Sequence, residues 1–179
     1  MFCNYTIVLL LWMTACINPS GTFEQMLASI YSNTVPQIRS DSLTSLLEQR
    51  TRLSILDTRP EVEYEVAHLK GARCVGYEDF HLDKVKDLAR DQIIIVYCSV
   101  GYRSERIGER LQEAGYTKVY NLYGGIFEWK NKNNLVYDRT ETVTDSMHVY
   151  SPKWGKWFTN GIKVYKSERK THKSLVRGM

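Results

Sequence analysis

Gln92-Ile-Ile-Ile-Val-Tyr97 followed by Cys98-Ser-Val-Gly-Tyr-Arg-Ser104 is the stretch that decides the fold. The first six residues form a near-continuous apolar run rich in β-branched side chains, which reads as a strand buried on both faces of a parallel sheet. Beyond the loop, Ile107, Leu111 and Ala114 recur at helical spacing, and Gly115 stands where a helix stops. The order is therefore strand, tight loop, helix, with a cysteine at the carboxyl end of the strand. A helix N-terminus offers unpaired N–H groups and a partial positive charge. A thiolate held there is stabilised, so the Cys98 thiol is expected to ionise below the free value of about 8.5. The same amides, from Ser99, Val100, Gly101 and Tyr102, can cradle an anion. Gly101 lets the loop turn tightly, and Arg103 adds a permanent charge with a planar fork of donors.

Working outward, strands and helices alternate. Val35 to Ile38 suits a short first strand, and Ser40 or Asp41 caps a helix holding Leu43, Leu46 and Leu47. Leu53 to Asp57 reads as a second strand. Pro60 opens a short helix through Val66, and Arg73 to Val75 gives a third strand. Leu82 to Ala89 reads as a helix with Leu82, Val85, Leu88 and Ala89 inward. Lys118 to Asn121 and Gly124 to Asn131 supply the last strand and helix. This alternation predicts an α/β fold, a central parallel five-stranded sheet flanked by helices. Ligands of such sheets bind beyond the carboxyl ends of the strands, where Cys98 sits.

The loop resembles the active-site loop of the rhodanese (sulfurtransferase) family. Ser54-Ile-Leu-Asp-Thr-Arg59 is similar to that family's strand ending in Asp-x-Arg. Glu63-Tyr-Glu-Val-Ala-His68-Leu-Lys-Gly71-Ala72 resembles its Glu, His, Gly-Ala segment, and Gly124-Gly-Ile-Phe-Glu-Trp129 its Gly-Gly-x-x-x-Trp. The resemblance covers roughly residues 34 to 137. It implies that Cys98 attacks the sulfane sulfur of a small anionic donor such as thiosulfate and keeps it as a persulfide. A thiol or cyanide acceptor then removes that sulfur, in covalent ping-pong chemistry. In the resembled superfamily a loop of six residues, the length from Cys98 to Arg103, goes with sulfur transfer, and one of seven with phosphatases. Arg103 binds the donor's oxygens or ties the loop to a carboxylate beneath it. Ser104 is expected to cap the following helix rather than meet the persulfide. Asp57 and Arg59 are expected as a structural pair under the loop, and His68 as a hydrogen-bonding residue at a helix end. The chain departs from the family at Ala67, where Gly is usual, at Lys70, where Pro is usual, and at the neutral Ser99-Val100, where a basic residue often follows the cysteine. No metal or organic cofactor is implied.

The chain has 179 residues, 43% of them hydrophobic, which suits one domain with extensions. Its net charge of +4 does not point to nucleic acid. The cysteines Cys3, Cys16, Cys74 and Cys98 show neither paired spacing nor a CxxC, so no zinc site or disulfide framework is expected. Residues 1–16 carry no charged side chain, and Ile7 to Met13 is an apolar run of signal-peptide length, too short to span a bilayer. Met13-Thr-Ala-Cys16 resembles a bacterial lipobox. It gives a signal peptide over 1–16 with Cys16 lipidated as the first mature residue, and a protein anchored at, or free on, the periplasmic side of the cell envelope. Residues 17–33 read as a spacer with one short helix carrying Phe23, Met26, Leu27 and Ile30. The rhodanese-like domain follows over 34–137, and an aromatic–basic extension over 138–179. From residue 151 onward eight basic side chains face Glu168 alone. Trp154, Trp157 and Phe158 are expected to pack on the domain while the lysines stay solvated. Two alternatives to a turnover enzyme are a sulfur carrier or binding module fed by a protein partner, and a thiol redox protein pairing Cys98 with Cys74.

Overall fold

The computed structural model describes residues 21–165. The elements in chain order are α1 (Phe23–Ile30), β1 (Gln37–Ile38), α2 (Ser40–Glu48), β2 (Leu53–Asp57), α3 (Glu61–Tyr64), β3 (Arg73–Cys74), a 3₁₀ turn (Leu82–Val85), β4 (Ile93–Tyr97), α4 (Tyr102–Glu113), β5 (Lys118–Leu122) and α5 (Gly125–Asn131). The short β6 (Val136–Tyr137), β7 (Val143–Thr144), β8 (Ser146–His148), α6 (Pro152–Gly155) and β9 (Ile162–Val164) complete the described chain. Five strands form one parallel sheet, as the alternation predicts, and their order in it is β1-β5-β4-β2-β3.

β4 lies at the centre, and its sequence explains why. Ile94 through Cys98 are all buried, so both faces of the strand must be covered. Ile95 and Tyr97 enter one apolar cluster with Ile55, Leu43, Ile126 and Phe127. Ile94 and Val96 enter the other with Leu56, Val85, Ile107 and Leu111. The period-2 alternation of side chains thus sends α1, α2 and α5 to one face and α4 to the other. Fully burying each aliphatic side chain contributes about 1.5–3 kcal/mol, which fixes the strand's register against β2 and β5.

Two expectations change. The helix read over Leu82 to Ala89 is only the 3₁₀ turn, and both Leu82 and Ala89 are exposed. Val85 and Leu88 alone reach the core, and consecutive tight turns (Lys84 N–H to His81, Leu88 N–H to Val85) are enough to present them. The short helix read within the 17–33 spacer forms as α1, but it packs into the domain core instead of standing apart from it. Its Leu27 is fully buried in the main cluster, and Phe23 packs on Trp157 with ring centroids 5.7 Å apart. At the other end Met147, Val149 and Phe158 are fully buried in that same cluster, and Phe158 packs on Phe127 at 5.6 Å. The aromatics of the extension therefore pack inward, as expected. The lipobox, Cys16 and the basic residues from Lys166 onward lie outside the described residues.

Candidate active site

Cys98 leaves the carboxyl end of β4 and is 1% exposed. The loop turns back at Gly101, the residue before α4, whose φ is +100°. Its N–H donates to Cys98 Sγ at 3.1 Å. Only glycine fits there, because a Cβ would stand 2.1 Å from Tyr31 Oη.

All four carbonyls of the loop are held by groups from elsewhere in the fold. Cys98 O accepts from Ile126 N–H (2.9 Å) and Ser99 O from Phe127 N–H (3.1 Å). Val100 O accepts from Tyr31 Oη (2.5 Å) and Gly101 O from Asn121 Nδ2 (2.9 Å). Tyr31 Oη in turn accepts from Gly124 N–H (2.9 Å). The Gly124-Gly125 pair makes the two α5 contacts possible. Gly125 has φ +58°, and a Cβ on it would lie 2.3 Å from the Cys98 carbonyl oxygen. No loop peptide can swing its carbonyl toward the thiol without losing a bond worth about 1 kcal/mol.

Of the two readings of Arg103, the structure shows the tie to a carboxylate. Its Nη1 and Nη2 donate to Glu63 Oε1 and Oε2, both at 3.1 Å, and Nη2 also meets Ser99 Oγ at 3.1 Å. Ser99 Oγ donates to Glu63 Oε2. Burial opposes the Glu63 charge, yet Arg103, with Arg59 and His148 behind it, holds that carboxyl below its ordinary value. Burial likewise opposes the Arg103 charge, while the Cys98 sulfur and Glu63 keep its pKa raised. Burial, more than any neighbour, lowers the pKa of His148, from β8, and its Nδ1 accepts the Tyr150 N–H at 3.3 Å.

Ser104 does not cap α4. It is fully buried in the first turn of the helix, and its Oγ donates to Asn121 Oδ1 at 2.7 Å, which orients the amide that holds Gly101. Asp57 and Arg59 form a fully buried pair, with Nη2 to Oδ2 at 2.6 Å and Nε to Oδ1 at 3.0 Å. Arg59 Nη2 also donates to the Ala67 carbonyl, so the pair ties the end of β2 to the segment that follows α3. His68 stacks on Tyr64, with ring centroids 3.9 Å apart, and its ring nitrogens meet Tyr64 O and Glu141 Oε1, each at 3.0 Å. None of these three side chains lines the pocket over Cys98.

Cys74 cannot be a direct partner for Cys98. Cys74 pairs with Asp57, and Asp57 with Tyr97, so two strand spacings, about 10 Å, separate Cys74 from the end of β4. A disulfide needs Cα atoms within about 7 Å. Burial, with Asp57 adding to it, pushes the Cys74 thiol up to about 11, and its Sγ meets the Arg59 carbonyl. The redox alternative therefore fails on geometry.

Above Cys98 opens a pocket of about 380 Å³. Ser99, Val100, Tyr102 and Arg103 line its floor and one side, and Pro60, Tyr77, Glu78, Tyr150 and Trp154 complete it. Sequence reasoning missed Tyr31, Asn121, Tyr150 and Trp154. Each reaches the loop or its pocket across a long stretch of chain, and no local pattern marks such a contact. Glu63 was legible only as part of a motif. Among the described residues, no group of three His, Cys, Asp or Glu side chains could hold a metal ion.

The rhodanese-like domain family matches residues 40–132, more than half of the 179. The chain belongs to the rhodanese-like family. A tRNA uridine(34) hydroxylase of Rickettsia akari is 32% identical over 118 residues, which are 58% of this chain and 47% of that protein. A putative sulfur carrier protein, YrkF of Bacillus subtilis, is 27% identical over 101 residues, 56% of this chain and 54% of that one. The chain spans about half the length of the curated relatives it matches. Among solved structures, the rhodanese-like domain of an Anabaena protein superposes with a TM-score of 0.54 at 28% identity, over 57% of this chain and 79% of that one. A thiosulfate sulfurtransferase from Pseudomonas aeruginosa gives 0.55 at 22% identity, over 68% and 23%, and shares the fold. Tyr31, Tyr150 and Trp154 all lie outside the matched residues.

Proposed function

We propose that this rhodanese-like chain is a sulfurtransferase. Cys98 takes a sulfane sulfur from a donor, holds it as a persulfide, and passes it to a thiol or cyanide. The observation that carries the reading is the Cys98 sulfur itself, at the foot of an open pocket and bonded to the Gly101 amide, on a loop fixed at every carbonyl. A donated N–H stabilises charge on that sulfur in the thiolate that attacks. In the first half-reaction the thiolate attacks the donor's terminal sulfur, and the old sulfur–sulfur bond leaves with its electron pair on the departing group. In the second, cyanide takes that sulfur as thiocyanate and returns the thiolate. Preorganisation is the protein's contribution, since none of the loop's hydrogen bonds must form during the reaction.

The test is intact mass after excess thiosulfate, for wild type and Cys98→Ala, followed by cyanide. Gain of one sulfur atom in wild type alone, discharged by cyanide, is expected. Gain in both proteins, or in neither with any sulfane donor, would overturn the reading.

One observation favours a partner-fed carrier as a second reading. The cation in the pocket, Arg103, is already bonded to Glu63 and Ser99. A carrier would load from a protein persulfide and show little thiosulfate:cyanide turnover. We also propose that the protein is exported and lipid-anchored through Cys16 on the periplasmic side of a bacterial envelope. Labelled palmitate incorporated by wild type but not by Cys16→Ala would support it, and equal labelling of the two would sink it.

A further inference from the structure

The wall of the pocket over Cys98 suits a different donor from the one its fold relatives suggest. Four aromatic side chains line it, Tyr77, Tyr102, Tyr150 and Trp154. Of its two charged residues, Glu78 is an acid, and Arg103 is neutralised by Glu63. Ser99 and Val100 add no charge. A dianion of five heavy atoms displaces roughly three waters, on the order of 90 Å³, and would leave most of the 380 Å³ unfilled.

Tyr150 and Trp154 are built into the wall rather than lying on it by chance. Val149, beside Tyr150, is fully buried, and Tyr150 holds φ +60° with its N–H on His148 Nδ1. The Trp154 backbone N–H bonds the Ser151 carbonyl, and a Cβ on the next residue, Gly155, would stand 3.1 Å from the Val149 side chain. Phe158 then anchors the segment in the core. The energy of placing two aromatic rings over the pocket is thus supplied by a buried scaffold outside the family's common region.

We infer that the pocket selects organic sulfane-sulfur donors with an apolar or aromatic body and at most one negative charge, Tyr150 and Trp154 gripping that body while the terminal sulfur reaches Cys98. The inference rests on the sulfur-transfer reading above. For an aryl thiosulfonate the step balances without any further reagent. The Cys98 thiolate bonds the terminal sulfur, the bond from that sulfur to the sulfonyl sulfur breaks, and the electron pair leaves on the arylsulfinate. Cys98 is left as the persulfide anion. An edge or face contact with each ring is worth roughly a factor of ten in binding.

The experiment uses the full chain with benzenethiosulfonate, methanethiosulfonate and thiosulfate, reading the rate of Cys98 persulfide formation by quenched intact mass. The first two probes carry equal charge and differ in the body presented to the wall. The phenyl-to-methyl rate ratio should fall about tenfold in Trp154→Ala and in Tyr150→Ala, and Trp154→Phe should restore most of it. Taking this ratio within each variant cancels the donors' intrinsic reactivities. Tyr150 is 64% exposed, so its truncation leaves the fold intact if Trp154→Ala does not. Thiosulfate should be the slowest donor of the wild type. An unchanged ratio in the variants, with Cys98 still loaded, would overturn the specificity wall and leave sulfur transfer standing. Failure of all three donors to load wild-type Cys98 would overturn both.

Discussion

Tyr31 and Gly101 should behave as one unit in stability measurements, although 70 residues separate them in the chain. Replacing Gly101 by Ala forces a Cβ onto a residue with φ +100°, at about 1–2 kcal/mol for left-handed backbone. That Cβ would also stand 2.1 Å from Tyr31 Oη and 2.7 Å from Cζ, so the ring must leave. Its departure breaks the bonds to the Val100 carbonyl and from the Gly124 N–H, both on buried residues. Each buried group left unpaired costs about 1–3 kcal/mol, so Gly101→Ala should cost about 3–8 kcal/mol in all. Tyr31→Phe loses the same two bonds and should cost about 2–6 kcal/mol. The double variant cannot lose them twice. It should cost about as much as Gly101→Ala alone, leaving an interaction energy equal to the shared loss, roughly 2–6 kcal/mol. Guanidinium unfolding followed by tryptophan fluorescence would measure all three. Additivity to within about 0.5 kcal/mol would refute the reasoning, because it would mean that Tyr31 does not stand against Gly101 in solution.

Glu63→Gln should destabilise by about 1–3 kcal/mol, since it leaves the partly buried Arg103 charge with a weaker partner. The Glu63 carboxyl ionises below its ordinary value in the folded state, so its contribution is full above the unfolded value of about 4.3 and disappears as pH falls through the lower folded one. Acid titration of stability should therefore be shallower in Glu63→Gln, and an identical acid limb would count against the pairing. Asp57→Ala strands the fully buried Arg59 guanidinium and should cost about 3–5 kcal/mol in thermal or denaturant unfolding; a loss below 1 kcal/mol would contradict its burial. Cys74, with its thiol near 11, should resist iodoacetamide at pH 8, and Cys74→Ala should keep persulfide transfer. A Cys74–Cys98 disulfide after mild oxidation would contradict the strand order. Gly125→Ala should slow Cys98 loading and lower stability together, because its Cβ would displace the Cys98 carbonyl; normal loading kinetics would argue that the loop is not seated on α5.

The sequence by itself determined the sheet and the place of the nucleophile. Five apolar residues ending at a cysteine can be buried only at the centre of a parallel sheet, and the glycine after them dictates a tight turn into a helix. Those signals are local, with periodicity over a few residues and one backbone position that excludes a Cβ. The order of the strands came only from the structure, while the Asp57–Arg59 pair and the two glycines before α5 were legible through motifs. What holds the loop was not. Tyr31 and Asn121 reach it from distant parts of the chain, and Ser104, which looks like a helix cap, instead orients Asn121 from inside the core. The helix predicted over 82–89 is a single turn, because two inward side chains were enough to satisfy the core there. Tyr150 and Trp154 sit in a segment whose composition says aromatic and basic, and nothing in that composition gives a direction. Only the burial of Val149 and Phe158, set by shape complementarity with residues far away in the chain, turns those rings over Cys98. Hydrophobic pattern decides which residues must be inside, while the packing of distant surfaces decides which ones meet, and the pocket of this protein depends on the second.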